Sequence, residues 1–177
     1  GDESDVLMKQ VHGPKDNKNV FEDLCRYFRD PRYRKIDGKP MLVIYRPAIM
    51  PDVKAMVEQW HELAVEAGFP GIYLIATTAF GFTDPGAIDF DAICEFPPHG
   101  VVAGEITEEV DLLNPTFSGH VYQYDDVVDD CIGRLEAQEP SKKAYFPGVM
   151  ASWDNEARKP GRGNIFWGAT PARFAGR

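Results

Sequence analysis

The residues best equipped for chemistry in this chain stand directly after runs of apolar residues. They are Tyr45-Arg46, Thr77-Thr78, the segment Glu95-Phe-Pro-Pro-His99, and Ser152-Trp-Asp-Asn155 with Arg158 just beyond. Aromatic rings beside carboxylate, amide and guanidinium groups suit a polyol, which offers one apolar face and several hydroxyls. Tyr45, Arg46, Glu95, His99, Trp153, Asp154, Asn155 and Arg158 are therefore the candidate substrate-binding residues. Glu95 and Asp154 are the candidates for acid–base work.

Each has a plainer reading. A carboxylate at the end of an apolar strand is costly unless it pairs with a cation or faces a wet cavity, so Glu95 is either a structural ion-pair partner, with Arg46 a reasonable counterion, or a substrate-facing acid. Pro97-Pro98 fixes the backbone after it and is a place for a cis bond, which would aim His99. His99 alone fits a structural role as well as a functional one. Trp153-Asp154-Asn155 reads either as a stacking platform with two short hydrogen-bonding groups or as an Asx turn beside a core tryptophan.

Other chemistries find no support in the spacing. No second His or Cys stands at metal-ligand distance from His99, and no cofactor fingerprint is present. Asp125, Asp126, Asp129 and Asp130 lack the glycine and ligand spacing of a calcium loop and read as the acidic start of a helix. Asp84-Pro-Gly86 and Gly161-Arg-Gly163 read as turns, because no Gly-Lys-Ser/Thr follows either. No serine sits in a Gly-x-Ser-x-Gly elbow.

The elements that must position these groups alternate in type. Asn19-Val-Phe-Glu22 looks like a variant capping box, and Phe21, Leu24, Cys25 and Phe28 share one helical face that ends before Pro31. The turn Asp37-Gly-Lys-Pro40 precedes Met41-Leu-Val-Ile-Tyr45, an unbroken apolar run expected as a strand buried on both faces. Pro51-Asp52 opens a helix that presents Met56, Trp60, Leu63, Ala64 and Ala67 and closes at Gly68. Gly71–Ala76 is the next strand. This strand–helix–strand order predicts a right-handed crossover and parallel pairing.

Phe90–Phe96 is the third predicted strand, halted by the double proline. Residues 99–121 lack periodicity, although Val110, Leu112 and Leu113 suggest a short buried piece. Tyr124–Leu135 reads as a helix and Pro147–Ala151 as a last strand. The fold class is α/β with parallel strands, and in such folds working groups gather at the carboxyl ends of the strands.

Composition bounds the rest. A chain of 177 residues suits a single domain. A net charge of −9 argues against nucleic acid or anionic lipid as partner, since both demand a basic face. No run is apolar enough for membrane insertion, and Gly1-Asp-Glu-Ser-Asp5 does not resemble a signal peptide. Three widely spaced cysteines, Cys25, Cys94 and Cys131, suggest reduced thiols and a cytoplasmic location.

Four segments together resemble a known family: Tyr27-Phe-Arg-Asp-Pro-Arg-Tyr33 with Asp37-Gly-Lys-Pro40 and Tyr45-Arg46-Pro47; Phe90-Asp-Ala with Glu95-Phe-Pro-Pro-His-Gly100; Pro147-Gly-Val-Met with Trp153-Asp-Asn-Glu-Ala-Arg158; and Thr170-Pro-Ala-Arg-Phe174. Their order and spacing over nearly the whole chain resemble the WbsX-type, glycoside hydrolase family 99-like proteins. The resemblance implies a (β/α)8 barrel of which this chain supplies middle and later strands, and a sugar site at the barrel's C-terminal face. It also implies a role in bacterial surface-polysaccharide, O-antigen or lipopolysaccharide metabolism, by glycosyl transfer or hydrolysis.

In the hydrolase relatives two glutamates of an Asn-Glu-Trp-x-Glu-Gly motif take part in retaining cleavage. That motif is absent from these residues, so the catalytic pair is expected outside them and the chain is expected to be inactive alone. Its expected partners are an oligosaccharide or other sugar-containing substrate and either the rest of the barrel or a second copy. The alternative from another class is a non-catalytic glycan-binding or scaffold domain, and a third is a small open-sheet domain whose strand-end residues are structural.

Overall fold

A computed structural model describes residues 9, 11–82, 88–101, 103–138 and 143–176. In chain order the elements are α1 (Pro14–Phe28), β1 (Lys35–Ile36), β2 (Lys39–Ile44), α2 (Val53–Glu66), β3 (Tyr73–Thr77), β4 (Ala92–Cys94), β5 (His120–Gln123), α3 (Tyr124–Glu136), β6 (Ala144–Phe146), β7 (Asn164–Trp167) and α4 (Pro171–Ala175). They fall into two compact units, Gly1–Cys94 with Lys143–Phe146 and Glu95–Lys142 with Pro147–Arg177. The turn expected at Asp84-Pro-Gly86 lies outside the described residues.

The first unit is built on a five-stranded sheet of order β1-β2-β3-β4-β6. β1 runs antiparallel to β2 through the Asp37-Gly38 turn, and β2, β3, β4 and β6 are parallel. The expected α/β class with parallel strands is thus observed. α1 and α2 bury Phe21, Cys25, Phe28, Met56, Val57, Trp60 and Ala64 against Ile44, Ile72, Leu74 and Ala76. Phe21 and Phe28 meet edge to face at 5.9 Å, and the Trp60 indole donates to the Asn17 carbonyl at 2.9 Å, so the one polar atom of a large buried ring is satisfied.

Several expectations are corrected in this unit. α1 begins at Pro14, not Asn19: Gly13 stands at the N-cap, and Pro14 supplies the helical φ and lacks the N–H that would be orphaned there. Asn19 and Glu22 lie inside the helix rather than at its start. α2 matches expectation, with the Asp52 carboxylate accepting from Ala55 N at 3.0 Å and Gly68 at φ +89° closing the helix. β2 is not buried on both faces, since Val43 is 43% exposed while Pro40 and Ile44 point into the helix-covered core.

The third strand is shorter than its apolar run. β4 covers only Ala92–Cys94 because Asp91 engages β3 with its side chain, its carboxylate accepting from Leu74 N at 2.8 Å. The last predicted strand is also displaced: the ladder forms at Ala144–Phe146 and stops at Pro147, which has no N–H to continue it.

The second unit holds the parallel pair β5-β7, with α3 following β5 directly. Neither strand was expected from periodicity. Val101, Tyr122, Tyr124, Val127 and Phe166 form its core, with the rings of Tyr122 and Phe166 stacked at 5.1 Å. The buried piece expected around Val110, Leu112 and Leu113 is absent, since Leu113 is fully exposed and Leu112 is 38% exposed. None of the helices among the described residues is long and apolar enough to cross a membrane.

Candidate functional site

In the first unit the ends of β2 and β3 are tied together by one side chain. Thr77 is fully buried, its hydroxyl donates to the Tyr45 carbonyl at 2.6 Å, and it accepts from Ala79 N at 3.3 Å. That clamp fixes the turn that follows, in which Phe80 adopts φ 58°, ψ 34°. A bulky residue in the left-handed region is uncommon and costs free energy. The outcome is a half-exposed ring with the Arg46 guanidinium 4.0 Å from its centroid and the Tyr45 ring edge-on at 5.8 Å.

In the second unit Glu95 is held from two sides. Its Oε1 lies 3.3 Å from Arg134 Nη1, and its Oε2 accepts from Gly148 N at 2.9 Å. Arg134 also bonds Asp130 Oδ2 at 3.0 Å, so the acid takes Arg134 as its cation instead of the expected Arg46. The Pro97-Pro98 bond is cis, and the rings of Phe96 and His99 lie 6.2 Å apart. Gly148 passes so close to this turn that a Cβ there would collide with Pro97 Cδ and sit 2.9 Å from Glu95 Cβ. Beside it lies an apolar cavity of about 270 Å³ between α3 and Val149-Met150, where burial pushes the Cys131 thiol up against the opposing influence of Arg134.

Trp153-Asp154-Asn155 forms a turn. Asp154 Oδ1 accepts from Glu156 N at 2.8 Å, and Asn155 Oδ1 accepts from Asn164 N at 2.7 Å. Glu156 closes the loop, taking Gly161 N on one oxygen and Gly163 N at 2.9 Å on the other. The Asx-turn reading therefore describes Asp154, whereas Trp153 sits half-buried against the second core with its Nε1 buried and without a hydrogen-bond partner among the described residues. Arg158 is exposed at the end of the turn.

The carboxyl end of the β5-β7 pair carries groups that periodicity did not single out. Gln123 Oε1 is buried without a partner among the described residues, and Trp167 ends β7 with 56% of its surface exposed. Arg173 Nη1 lies 3.4 Å from Asp125 Oδ2 and donates to the Gly168 carbonyl at 3.0 Å, fixing the turn after the tryptophan. At the other end of β5, His120 Nδ1 stands 2.8 Å from Glu105 Oε1, and this bond holds the Glu105 carboxyl below its usual range.

The structure thus brings Tyr45 and Arg46 to Phe80 in one unit, while in the other Glu95 and His99 flank the Pro97-Pro98 turn and Trp153, Asp154, Asn155 and Arg158 belong to a separate turn. Three buried side-chain atoms, Arg46 Nε, Gln123 Oε1 and Trp153 Nε1, have no hydrogen-bond partner among the described residues. Phe80, Gln123 and Trp167 were missed by sequence reasoning. The run Asn164-Ile-Phe-Trp before Gly168 carries a strand signal, so Trp167 was findable, whereas nothing local marks Phe80. Among the described residues no group of three or more His, Cys, Asp or Glu is placed to hold a metal ion.

The family model described as Glycosyltransferase WbsX matches residues 1–176. Two curated relatives, both named uncharacterized protein WxcX, come from Xanthomonas campestris pv. campestris strains B100 and ATCC 33913. Each is 33% identical over 170 residues, covering 96% of this chain and 24% of the relative. The chain therefore spans about a quarter of the length of the curated relatives it matches. No solved structure matches significantly.

Proposed function

Given that this chain belongs to the WbsX glycosyltransferase family, we propose that it is a carbohydrate-active portion of a larger protein of bacterial surface-polysaccharide metabolism, of the O-antigen or lipopolysaccharide kind, working in the cytoplasm on glycosidic linkages by transfer or hydrolysis. The family match over residues 1–176 carries this reading. The half-exposed rings of Phe80 and Trp167 support it, because each stands at the carboxyl end of a parallel strand beside a side chain with an unpartnered polar atom. The parallel order β2-β3-β4-β6 suits one arc of a (β/α)8 barrel, which the remainder of the protein or a second copy would complete.

The catalytic carboxyl pair is proposed to lie elsewhere in the whole protein. Glu95 has both oxygens engaged by Arg134 and Gly148 N, and Asp154 is engaged by its own turn. These bonds favour positioning over proton transfer, and they also favour a second reading in which this region binds glycan without catalysis. Glycan-array binding and turnover by the intact protein, with Trp167→Ala and Gln123→Ala, test both readings. Binding that weakens about tenfold in these variants is expected, by the loss of one stacking ring or one hydrogen bond. Turnover alongside binding supports the enzyme, binding alone supports the second reading, and neither binding nor turnover in the intact protein would overturn the proposal.

A further inference from the structure

Arg46 is a cation that the fold holds in place without a counterion among the described residues. Arg32, Arg134 and Arg173 each pair with an Asp or Glu, whereas Arg46, like the exposed Arg26, Arg29, Arg34, Arg158 and Arg162, makes no ion pair with a carboxylate among the described residues; of these unpaired arginines only Arg46 is half-buried. The Arg46 guanidinium carbon instead lies over the Phe80 ring, 4.0 Å from its centroid, and its Nε is buried with no hydrogen-bond acceptor among the described residues. An arginine in an exposed position would be free to point at water. This one is half-buried and held over a ring.

The ring is itself placed at a cost. Phe80 occupies the left-handed region at φ 58°, and Thr77, bonded to both the Tyr45 carbonyl and Ala79 N, maintains the turn that puts it there. Strain of this kind persists where surrounding structure enforces it, and it gathers at ligand clamps. What it secures here is the orientation of a planar fork of N–H donors at the carboxyl end of β2. Such a fork matches two oxygens of one anion, whereas neutral hydroxyls are served as well by an amide.

We infer that Arg46, laid over the ring of Phe80, receives an oxyanion carried by the saccharide ligand, either the carboxylate of a uronic acid or the phosphate of a glycosyl phosphate. This inference rests on the carbohydrate reading and sharpens it to an acidic sugar. The charge is met by both terminal nitrogens of the guanidinium, and Phe80 serves as a positioning residue behind it.

Ligand-observed NMR and calorimetry on the intact protein test this with D-glucuronic acid, D-glucose 1-phosphate, inorganic phosphate and D-glucose as probes. At least one charged sugar is expected to bind about tenfold more tightly than D-glucose, as a charge-assisted pair provides. Comparing the first two probes identifies which oxyanion is read, and inorganic phosphate shows whether the sugar is needed. Arg46→Gln is expected to abolish the preference, Arg46→Lys to keep only part of it, and Phe80→Gly to weaken it in a protein whose circular dichroism is unchanged.

Equal affinity for charged and neutral sugars, or a preference that survives Arg46→Gln, overturns the inference while leaving the carbohydrate reading intact. Binding of inorganic phosphate as tight as that of the charged sugars overturns it too, because the anion would then be read without its saccharide. Failure of every saccharide, on the array as well as in solution, overturns both.

Discussion

Replacing Phe80 separates the strain at this position from the contacts that the ring makes. In Phe80→Ala the ring is lost but the backbone remains left-handed, so the cost is contact alone. With the ring 51% exposed, about half of a full aromatic burial is forfeited, roughly 1 kcal/mol. Loss of the Arg46 stack and of the Tyr45 edge contact removes about 0.5–1 kcal/mol each. The expected destabilisation is about 2–3 kcal/mol. Phe80→Gly loses the same contacts but relieves a left-handed penalty of about 1–2 kcal/mol, set against an extra unfolded-state entropy of about 0.5–1 kcal/mol. Glycine should therefore be more stable than alanine here, by up to about 1.5 kcal/mol, the reverse of their order in a helix or strand. Urea denaturation of both variants measures this, with equal m-values as the condition for comparison. A glycine variant less stable than the alanine variant would refute the claim that this turn is held against its own preference.

Three further outcomes follow from contacts already described. Gly148→Ala should lower stability by about 2 kcal/mol, because the added methyl meets Pro97 and Glu95 and displaces the N–H that Glu95 accepts; denaturation reads the loss. Glu156→Ala should cost about 2 kcal/mol by leaving Gly161 N and Gly163 N unpaired, with Glu156→Gln milder, and hydrogen exchange at those two amides should accelerate in the alanine variant. The depressed Glu105 carboxyl contributes stability that is present above its unfolded pKa and lost as pH falls through its folded one. In His120→Ala, NMR titration should find the Glu105 midpoint moved upward toward the ordinary carboxylate range, and an unmoved midpoint would remove His120 as the cause.

The legible part of this fold was the part with long-range periodicity. α2 announced itself through Asp52, Gly68 and a stripe from Met56 to Ala67, and the apolar runs at Met41 and Gly71 led to the parallel pairing of β2 with β3. α1 was found with its start misplaced, because Gly13-Pro14 opens a helix as well as the capping-box residues do. β5 and β7 were not seen, since four-residue strands offer too few alternations to stand out from irregular chain.

For the candidate site, residue type and position along the chain were enough to mark Tyr45, Arg46 and Glu95 as strand-end groups, because the end of an apolar run is a local property, whereas Trp153, expected after a strand at Pro147–Ala151, stands in a turn because the ladder stops at Phe146. Their partners are not local. Glu95 meets Arg134 through α3 and Gly148 through the segment after β6, contacts separated by tens of residues that no spacing rule anticipates. Likewise, only the tertiary structure shows that the turn pinned by Thr77 drives Phe80 into a left-handed backbone and under Arg46. Sequence determined which groups were available. Packing decided which were consumed as structural partners, as Glu95 and Asp154 were, and which, like the Arg46 guanidinium, were left with hydrogen-bonding capacity to spare.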